Sequence, residues 1–436
     1  MLRIYIPIKT KFLFVLIFAA LWASMSIYFS LDWIRDLSAQ IGYLFATYLI
    51  LYIAILPGFM NAFLLASLLV DNRPIVRSFN NYPDLTVLVA AYNEESSIND
   101  TILSILAQDY SGRVTIIIIN DGSTDNTVQQ VAHLIKNHSN IQLIDLDQNH
   151  GKAAAINMGL RHSTTELIIT IDADCWIKKN AIRALVNRYL SDPPNTKAVA
   201  GAVFIKNSRE SWISKAQEWD YFLGIASIKR AQSLFQGTLV AQGAFSLYDR
   251  ATLVEIGGWS DTVGEDIVLT WRLLNEGYRV GYAEDACAFT HCPATITQFI
   301  KQRQRWSRGM VEAFKLNSKL LLKPRYSLFY VLCNTQFPLM DLAYTIGFLP
   351  GIVLALFGKF WIVGPMTLCL IPAAMLLNFV MYRACKKMFD HEGISVRRNF
   401  VGFFSYIFLY SFILQPACIS GYLSEIFNVK KTWGTK

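Results

Sequence analysis

Three groups of residues in this 436-residue chain have the types and spacing to do chemistry. Asp172-Ala173-Asp174 places two carboxylates two positions apart behind the apolar run Leu167 to Ile171. Side chains two apart on an extended chain share a face, so the pair suits a hard divalent cation, Mg2+ or Mn2+, whose shell is completed by phosphate oxygens. Glu265-Asp266 follows Gly264 and opens a helical pattern through Ile267, Leu269, Trp271 and Leu274. A carboxylate here can take a proton from a hydroxyl nucleophile, which makes Asp266 the candidate general base, and Gly264 would allow substrate to approach closely. Gln302-Arg303-Gln304-Arg305-Trp306, a QxxRW pentad, supplies an amide, a guanidinium for bidentate contact to a diphosphate and a flat apolar ring suited to a sugar.

Each group also has a plainer reading. Paired acids are common in turns, and Glu265 and Asp266 would favour a helix dipole wherever they opened a helix. From Phe299 to Phe314, Phe299, Trp306, Met310 and Phe314 fall near one helical face, ringed by Lys301, Arg303, Arg305, Arg308 and Lys315. That pattern is an amphipathic helix at a membrane interface, and it is compatible with a chemical role.

The elements that must position these groups are strands followed by helices. Leu85 to Ala91 is a short apolar run ending in Tyr92-Asn93-Glu94-Glu95, followed by the helical spacing Ile98, Ile102, Ile105 and Leu106. The unit recurs at Val114 to Ile119 before Asn120-Asp121-Gly122-Ser123, at Ile141 to Leu146 before a helix opening near Gly151, and at Leu167 to Ile171 before Asp172. Such alternation predicts a mostly parallel sheet with helices on both faces. Ligands gather beyond the carboxyl ends of its strands, the edge to which Glu94, Asp121, Asp172 and Asp174 are all assigned. Asp121 at a strand end can grip a base or ribose, with Ser123 or Asp125 capping the next helix. Lys152 can meet a nucleotide at a helix start, or remain solvated.

Composition places this domain between membrane segments. With 53% hydrophobic residues and a mean hydropathy of +0.33, the chain is too apolar for an ordinary soluble protein. Candidate spans of about 20 residues or more lie at 12–30, 41–70, 327–357, 361–382 and 400–427. The divisions are two leading helices over 1–75, a catalytic domain over 80–295, amphipathic interface helices over 296–322 and a membrane region of about three spans over 326–436. Arg3, Lys9 and Lys11 before the first span, Arg73 and Arg77 after the second, and Arg383, Lys386, Lys387, Arg397 and Arg398 after the fourth put the central domain in the cytosol. Lys430 and Lys431 then fall outside unless the last segment is re-entrant. The first span reads as an uncleaved anchor. In the third, Asn334, Asp341 and Tyr344 or Thr345 share a face, either for interhelical hydrogen bonds or to line a polar product channel. Seven cysteines are scattered without zinc-finger spacing; Cys287, His291 and Cys292 come nearest and read as packing. The net charge of +8 fits basic residues beside anionic lipid and not nucleic-acid binding.

Taken together, these motifs resemble the processive, inverting members of glycosyltransferase family 2, membrane synthases with a GT-A fold, and in arrangement and length most of all the bacterial poly-N-acetylglucosamine synthases. The resemblance implies an α/β GT-A domain, for nucleotide-diphospho-sugar transfer, flanked by transmembrane α-helices in the cytoplasmic (inner) membrane. It implies that Glu94 and Asp121 contact the uridine of a UDP-sugar, and that Asp172 and Asp174 hold the metal. Asp266 takes the place of the general base, where Gly264 replaces the family's usual Thr, while Gln302, Arg305 and Trp306 lie over diphosphate and acceptor. Val240 to Ala244 falls where relatives keep an acceptor-binding turn, with a loose match. The implied catalytic set is Asp266, Asp121 and Asp174, and the implied substrate set is Glu94, Asp121, Lys152, Asp172, Gln302, Arg305 and Trp306. The implied partners are a UDP-sugar donor, a growing glycan, the lipid bilayer and a small accessory membrane subunit. Competing expectations are a non-processive enzyme adding one sugar to a lipid, a β-glucan or hyaluronan-type synthase, and a sugar-nucleotide receptor or transporter without turnover.

Overall fold

A computed structural model describes residues 6–73, 76–396 and 398–430; Arg3, Arg397 and Lys431 of the charge pattern lie outside them. Eight strands form one sheet: β1 (Leu85–Ala91), β2 (Val114–Asp121), β3 (Ile141–Leu146), β4 (Leu167–Ile171), β5 (Trp176–Ile177), β6 (Thr196–Ile205), β7 (Phe245–Asp249) and β8 (Arg279–Thr290). Their order is β3-β2-β1-β4-β7-β6-β8-β5. The first four are parallel, as the strand-helix alternation predicts.

Beyond β4 the sheet is mixed, and the expectation of a mostly parallel sheet holds only for the first half. β7 runs antiparallel to both β4 and β6, β6 and β8 are parallel, and β5 pairs antiparallel with β8. The reversal follows from where the chain enters β7: Asp172 N donates to Ala244 O at 3.3 Å at the carboxyl edge of β4. A strand starting at that edge can only run back alongside its neighbour.

Strand side chains alternate between two buried layers. Val87 and Val89 of β1 join one cluster with Ile98, Ile102 and Leu185. Leu88 joins the other with Ile156, Leu160, Trp271 and Phe235. Burial on both faces explains why the parallel strands read as continuous apolar runs.

Among the described residues, three helices are long and apolar enough to cross a membrane: Ile8–Ile41, Tyr43–Leu69 and Ser327–Leu356. The first has 34 residues and continues through Asp32, Arg35 and Asp36, which lie between the first two candidate spans, where a connecting loop is expected; the break comes at Gly42, whose φ is +83°. Helix Pro365–Phe389 covers the fourth candidate and extends past it to Lys386 and Lys387. The last candidate is bent by 50° between Phe400–Phe408 and Tyr410–Ile426. Aromatic rings join these helices to one another and to the sheet domain: Phe63 of the second stacks on Phe329 of the third at 3.8 Å between centroids, and Phe12 of the first meets Phe235 of the domain at 5.2 Å. In the third span, Asp341 accepts from Tyr422 OH at 2.8 Å, so this residue makes the interhelical hydrogen bond.

Candidate active site

The loops after β1 and β2 are tied to each other. Asn93, in the left-handed region at φ +55°, donates its N–H to Ser123 Oγ at 2.9 Å and accepts from Thr124 N at 2.8 Å. Ser123 is thereby spent on the neighbouring loop. Asp125 instead serves the start of helix Thr127–Ile135, accepting from Thr127 N at 3.0 Å. Glu94 is held in the same loop, with Ser97 Oγ donating to its Oε2 at 2.8 Å.

Asp121 is 2% exposed, and both of its carboxylate oxygens accept backbone N–H groups: His150 N at 2.8 Å and Gly151 N at 2.9 Å. A buried carboxylate satisfied by two backbone donors is a rigid brace. What it braces is the turn that launches helix Lys152–His162, and with it Lys152.

Lys152 is not solvated. Its ammonium lies 2.6 Å from Asp172 Oδ1 and 3.1 Å from Glu265 Oε1. Burial opposes the charge, but Asp172 and Glu265 outweigh it and hold the ammonium above its ordinary range. On Glu265 the balance is reversed, and burial pushes the carboxyl up against the pull of Lys152. Burial, followed by the charges of Asp172 and Glu94, pushes Asp174 up to about 6.

The Asp172 and Asp174 pair comes together by a different route from the extended chain expected. Cys175 N donates to Asp172 O at 3.0 Å, closing a turn over 172–175. Ligand atoms of Asp172, Asp174 and Cys175 lie within 4.8 Å of one another. The two carboxylates fit a hard divalent ion. Cys175 does not, because sulfur is a soft ligand for such an ion; burial also raises its thiol well above the ordinary value. The Cys287 and Cys292 thiols are likewise raised by burial, Cys292 to about 12, in keeping with packing.

Asp266 stands in the first turn of helix Glu265–Asn275, where its Oδ2 accepts from Gly243 N at 3.2 Å. Gly243 belongs to the loosely matched turn Val240 to Ala244, and its backbone lies close against the cluster: an added Cβ would lie 2.6 Å from Lys152 Nζ and 3.3 Å from Glu265 Oε1, so the lysine end would have to shift. This turn thus touches both the lysine-carboxylate cluster and the candidate base. Gly264 has a different use from the one expected. A Cβ on it would lie 2.6 Å from Gly309 Cα, so this glycine pair lets helix Ile296–Leu316 cross against the start of the Asp266 helix.

That second helix carries QxxRW, and it is buried on more than one side. Arg303 and Arg308, expected on its polar surround, are buried and ion-paired: Arg303 with Asp220 at 2.9 Å, Arg308 with Glu425 at 2.9 Å. The reason is helix Tyr410–Ile426, which packs along this helix and covers that face; Gln304 donates to Ser420 Oγ at 2.6 Å and Lys315 reaches Glu425 at 2.9 Å. Gln302 is buried with its Oε1 unpartnered, Arg305 is half-buried, and Trp306 is 39% exposed. Among the described residues these three make no ion pair or hydrogen bond with the acids. Trp306 approaches the Asp172 to Cys175 turn through Tyr221, which lies 6.3 Å from the Trp306 ring and shares a buried cluster with Ala173 and Cys175.

Several residues of this neighbourhood escape a reading of the sequence. Asp220, Tyr410 and Glu425 meet the QxxRW helix only across 83 to 117 residues of chain. Lys229 is 7% exposed, its Nζ has no hydrogen-bond partner, and burial lowers it to about 7 against the opposing field of Asp266. Its segment reads as an ordinary polar helix, without a signal.

A GT-A sheet with paired acids after β4, a carboxylate on a later helix and a lysine among them defines a glycosyltransferase domain. Residues 86–257 match the model described as Glycosyl transferase family 2. The chain is 33% identical over 273 residues to the poly-beta-1,6-N-acetyl-D-glucosamine synthase of Staphylococcus aureus (strain COL), an alignment covering 61% of this chain and 65% of that one. It is 34% identical over 253 residues to the synthase of the same name from Staphylococcus epidermidis, covering 58% and 60%. The chain thus spans just under two thirds of these relatives' length. In fold it is similar to a mannosyltransferase from Pyrobaculum calidifontis solved in complex with GDP-Man and Mn2+, with a TM-score of 0.61 at 20% identity over 88% of this chain and 99% of the other.

Proposed function

We propose that the chain is a membrane-embedded, inverting glycosyltransferase that polymerises a β-linked glycan from UDP-N-acetylglucosamine. The observation that carries this is the turn at Gly243, which holds Asp266 by its N–H while lying against Lys152 and Glu265. It brings a candidate base to the edge of a cluster suited to a diphosphate. The name of the staphylococcal relatives supports N-acetylglucosamine as the sugar.

In this reading the terminal hydroxyl of the acceptor attacks the anomeric carbon of the donor and Asp266 takes its proton. The bond from the anomeric carbon to phosphate oxygen breaks with its electron pair leaving on UDP. Arg305, which makes no ion pair with a carboxylate among the described residues, and Lys152 meet the charge that develops there. A divalent cation, Mg2+ or Mn2+, on Asp172 and Asp174 would supply further charge neutralisation when bound; Mn2+ accompanies the mannosyltransferase of similar fold. Glu94 and Asp121 belong to the uridine end, Asp121 by bracing the 149–151 turn. Attack opposite the leaving group converts an α-linked donor into a β-linked product. Gln302 and Trp306 hold the acceptor, so that the product stays for the next addition. In this reading the chain is a multi-pass protein of the cytoplasmic membrane with the sheet domain in the cytosol, a placement the three long apolar helices support, and it passes product into the bilayer with an accessory subunit.

The test is UDP release from a panel of UDP-sugars by the protein in vesicles, followed by sizing and linkage analysis of the product. A β-linked polymer of N-acetylglucosamine is expected. A single-sugar adduct on lipid would remove processivity, a glucan would change the sugar, and no UDP release with any donor would overturn the reading.

A further inference from the structure

Trp306 is the exposed ring of the QxxRW wall, and one of its faces is already taken. The guanidinium of Arg303 lies 4.2 Å from the centroid of the Trp306 ring, with Phe299 at 4.9 Å and Tyr410 at 5.7 Å from the same group. A guanidinium over an indole is the strongest common form of cation–π contact, and a planar cation fixes ring orientation in a way a lysine cannot.

Arg303 is itself held. Its Nη2 donates to Asp220 Oδ2 at 2.9 Å and to Tyr410 OH at 2.7 Å, and Tyr410 OH donates to the same Asp220 oxygen at 2.8 Å. All three side chains are withdrawn from water: Arg303 is 6% exposed, Tyr410 is 2% exposed and the Asp220 side chain is 15% exposed. The three corners come from three parts of the chain. Asp220 opens a π-helical segment, Asp220–Ile225, beneath the sheet; local π geometry of this kind recurs at functional sites. Arg303 is on the QxxRW helix, and Tyr410 begins the final apolar helix beyond the 50° bend.

We infer that Arg303, clamped by Asp220 and Tyr410, is a positioning residue that sets the plane of Trp306 for the acceptor sugar and makes retention of the growing chain depend on how the last apolar helix is seated. This rests on the polymerase reading. Trp306 keeps one face for a pyranose ring because the guanidinium occupies the other. Moving Tyr410 moves Arg303, and moving Arg303 releases the ring, while the carboxylates around Lys152 are untouched.

The experiment compares wild type, Arg303→Lys, Tyr410→Phe and the double variant in vesicles with UDP-N-acetylglucosamine, measuring both initial UDP release and product length. Arg303→Lys keeps the charge beside Asp220 and loses the flat stack, so product length is expected to fall by about tenfold with initial UDP release unchanged. Tyr410→Phe removes only a hydroxyl and preserves packing, so it should shorten the product less, and the double variant should be no worse than Arg303→Lys because the residues act as one unit. Full-length product from both single variants would overturn the inference. So would a parallel fall of UDP release and length in Arg303→Lys, which would make Arg303 part of the chemistry or merely of the fold. Failure of wild type to transfer sugar would instead overturn the function on which the inference rests.

Discussion

On the proposed donor side, Glu94, Asp121, Asp172 and Asp174 follow or end β1, β2 and β4, which are hydrogen-bonded neighbours in the parallel block. Each acid is placed by the strand just before it, and the loops of neighbouring strands are locked to one another by bonds such as Asn93 to Ser123 and Asp121 to the 150–151 backbone. On the proposed acceptor side, Asp266, Gln302, Arg305 and Trp306 ride on two helices that touch through Gly264 and Gly309. The second of these helices is fixed from behind by Tyr410, Ser420 and Glu425 of the final apolar helix. One wall is set by sheet geometry and the other by the packing of helices distant in sequence. Nucleotide binding should therefore survive damage that ruins acceptor handling, whereas the reverse should not hold.

The sharpest test of that division is Asp266→Asn. Loss of a general base costs about 10²- to 10⁴-fold in rate, so transfer should collapse while UDP binding, followed by titration calorimetry, stays at the wild-type value. Polymer synthesis near the wild-type rate would take Asp266 out of the mechanism. Gly309→Val comes next: a Cβ at this position would lie 2.7 Å from Gly264 Cα. Overpacking of this kind costs about 1–3 kcal/mol, so the thermal midpoint should drop and transfer should fall much further than UDP binding. Equal losses in both would mean that the two walls are not separable.

Asp121→Asn probes the donor wall. Its amide nitrogen must face one of the two backbone N–H groups that the carboxylate accepts, so one bond of about 1 kcal/mol is lost and the Lys152 turn loosens. The KM for donor should rise several-fold with product length unchanged; a shortened product at normal donor KM would place Asp121 on the wrong side of the comparison.

Lys229 is expected to leave the comparison of the two walls untouched and to show only in stability. Burial lowers its amine from the ordinary 10.5 to about 7, so its contribution to stability is full above 10.5 and is lost as pH falls toward 7. Wild type should gain stability as pH rises from 7 to 9, by at most about 1.4 kcal/mol per pH unit. Lys229→Met should flatten that rise and be the more stable protein at pH 7; an unchanged slope in chemical denaturation would show that the amine is solvated.

How much of this was legible follows the same divide. Asp172, Asp174 and Asp266 can be found in the sequence because strand ends and helix starts are marked by local patterns of apolar residues, turns and acids. The reason offered for the Asp172 and Asp174 pairing was nevertheless wrong, since a turn closed by Cys175 N brings them together. Gly264 was seen but misread, because nothing near it in the sequence announces Gly309. Arg303 and Arg308 looked like solvated charges on an amphipathic helix, since their partners lie 83 to 117 residues away.

Local periodicity and motif order were enough for the parallel half of the sheet, its acidic edge, the apolar helices at both ends and the presence of a QxxRW helix. These depend on interactions within a few residues, which sequence spacing records directly. The antiparallel return of β7, the lysine between Asp172 and Glu265, the buried Lys229 and the clamp from Asp220 through Arg303 to Tyr410 were decided by tertiary packing. A buried charge survives only where some distant group meets it or where the fold withdraws it from water, and no spacing along one chain records which group that will be.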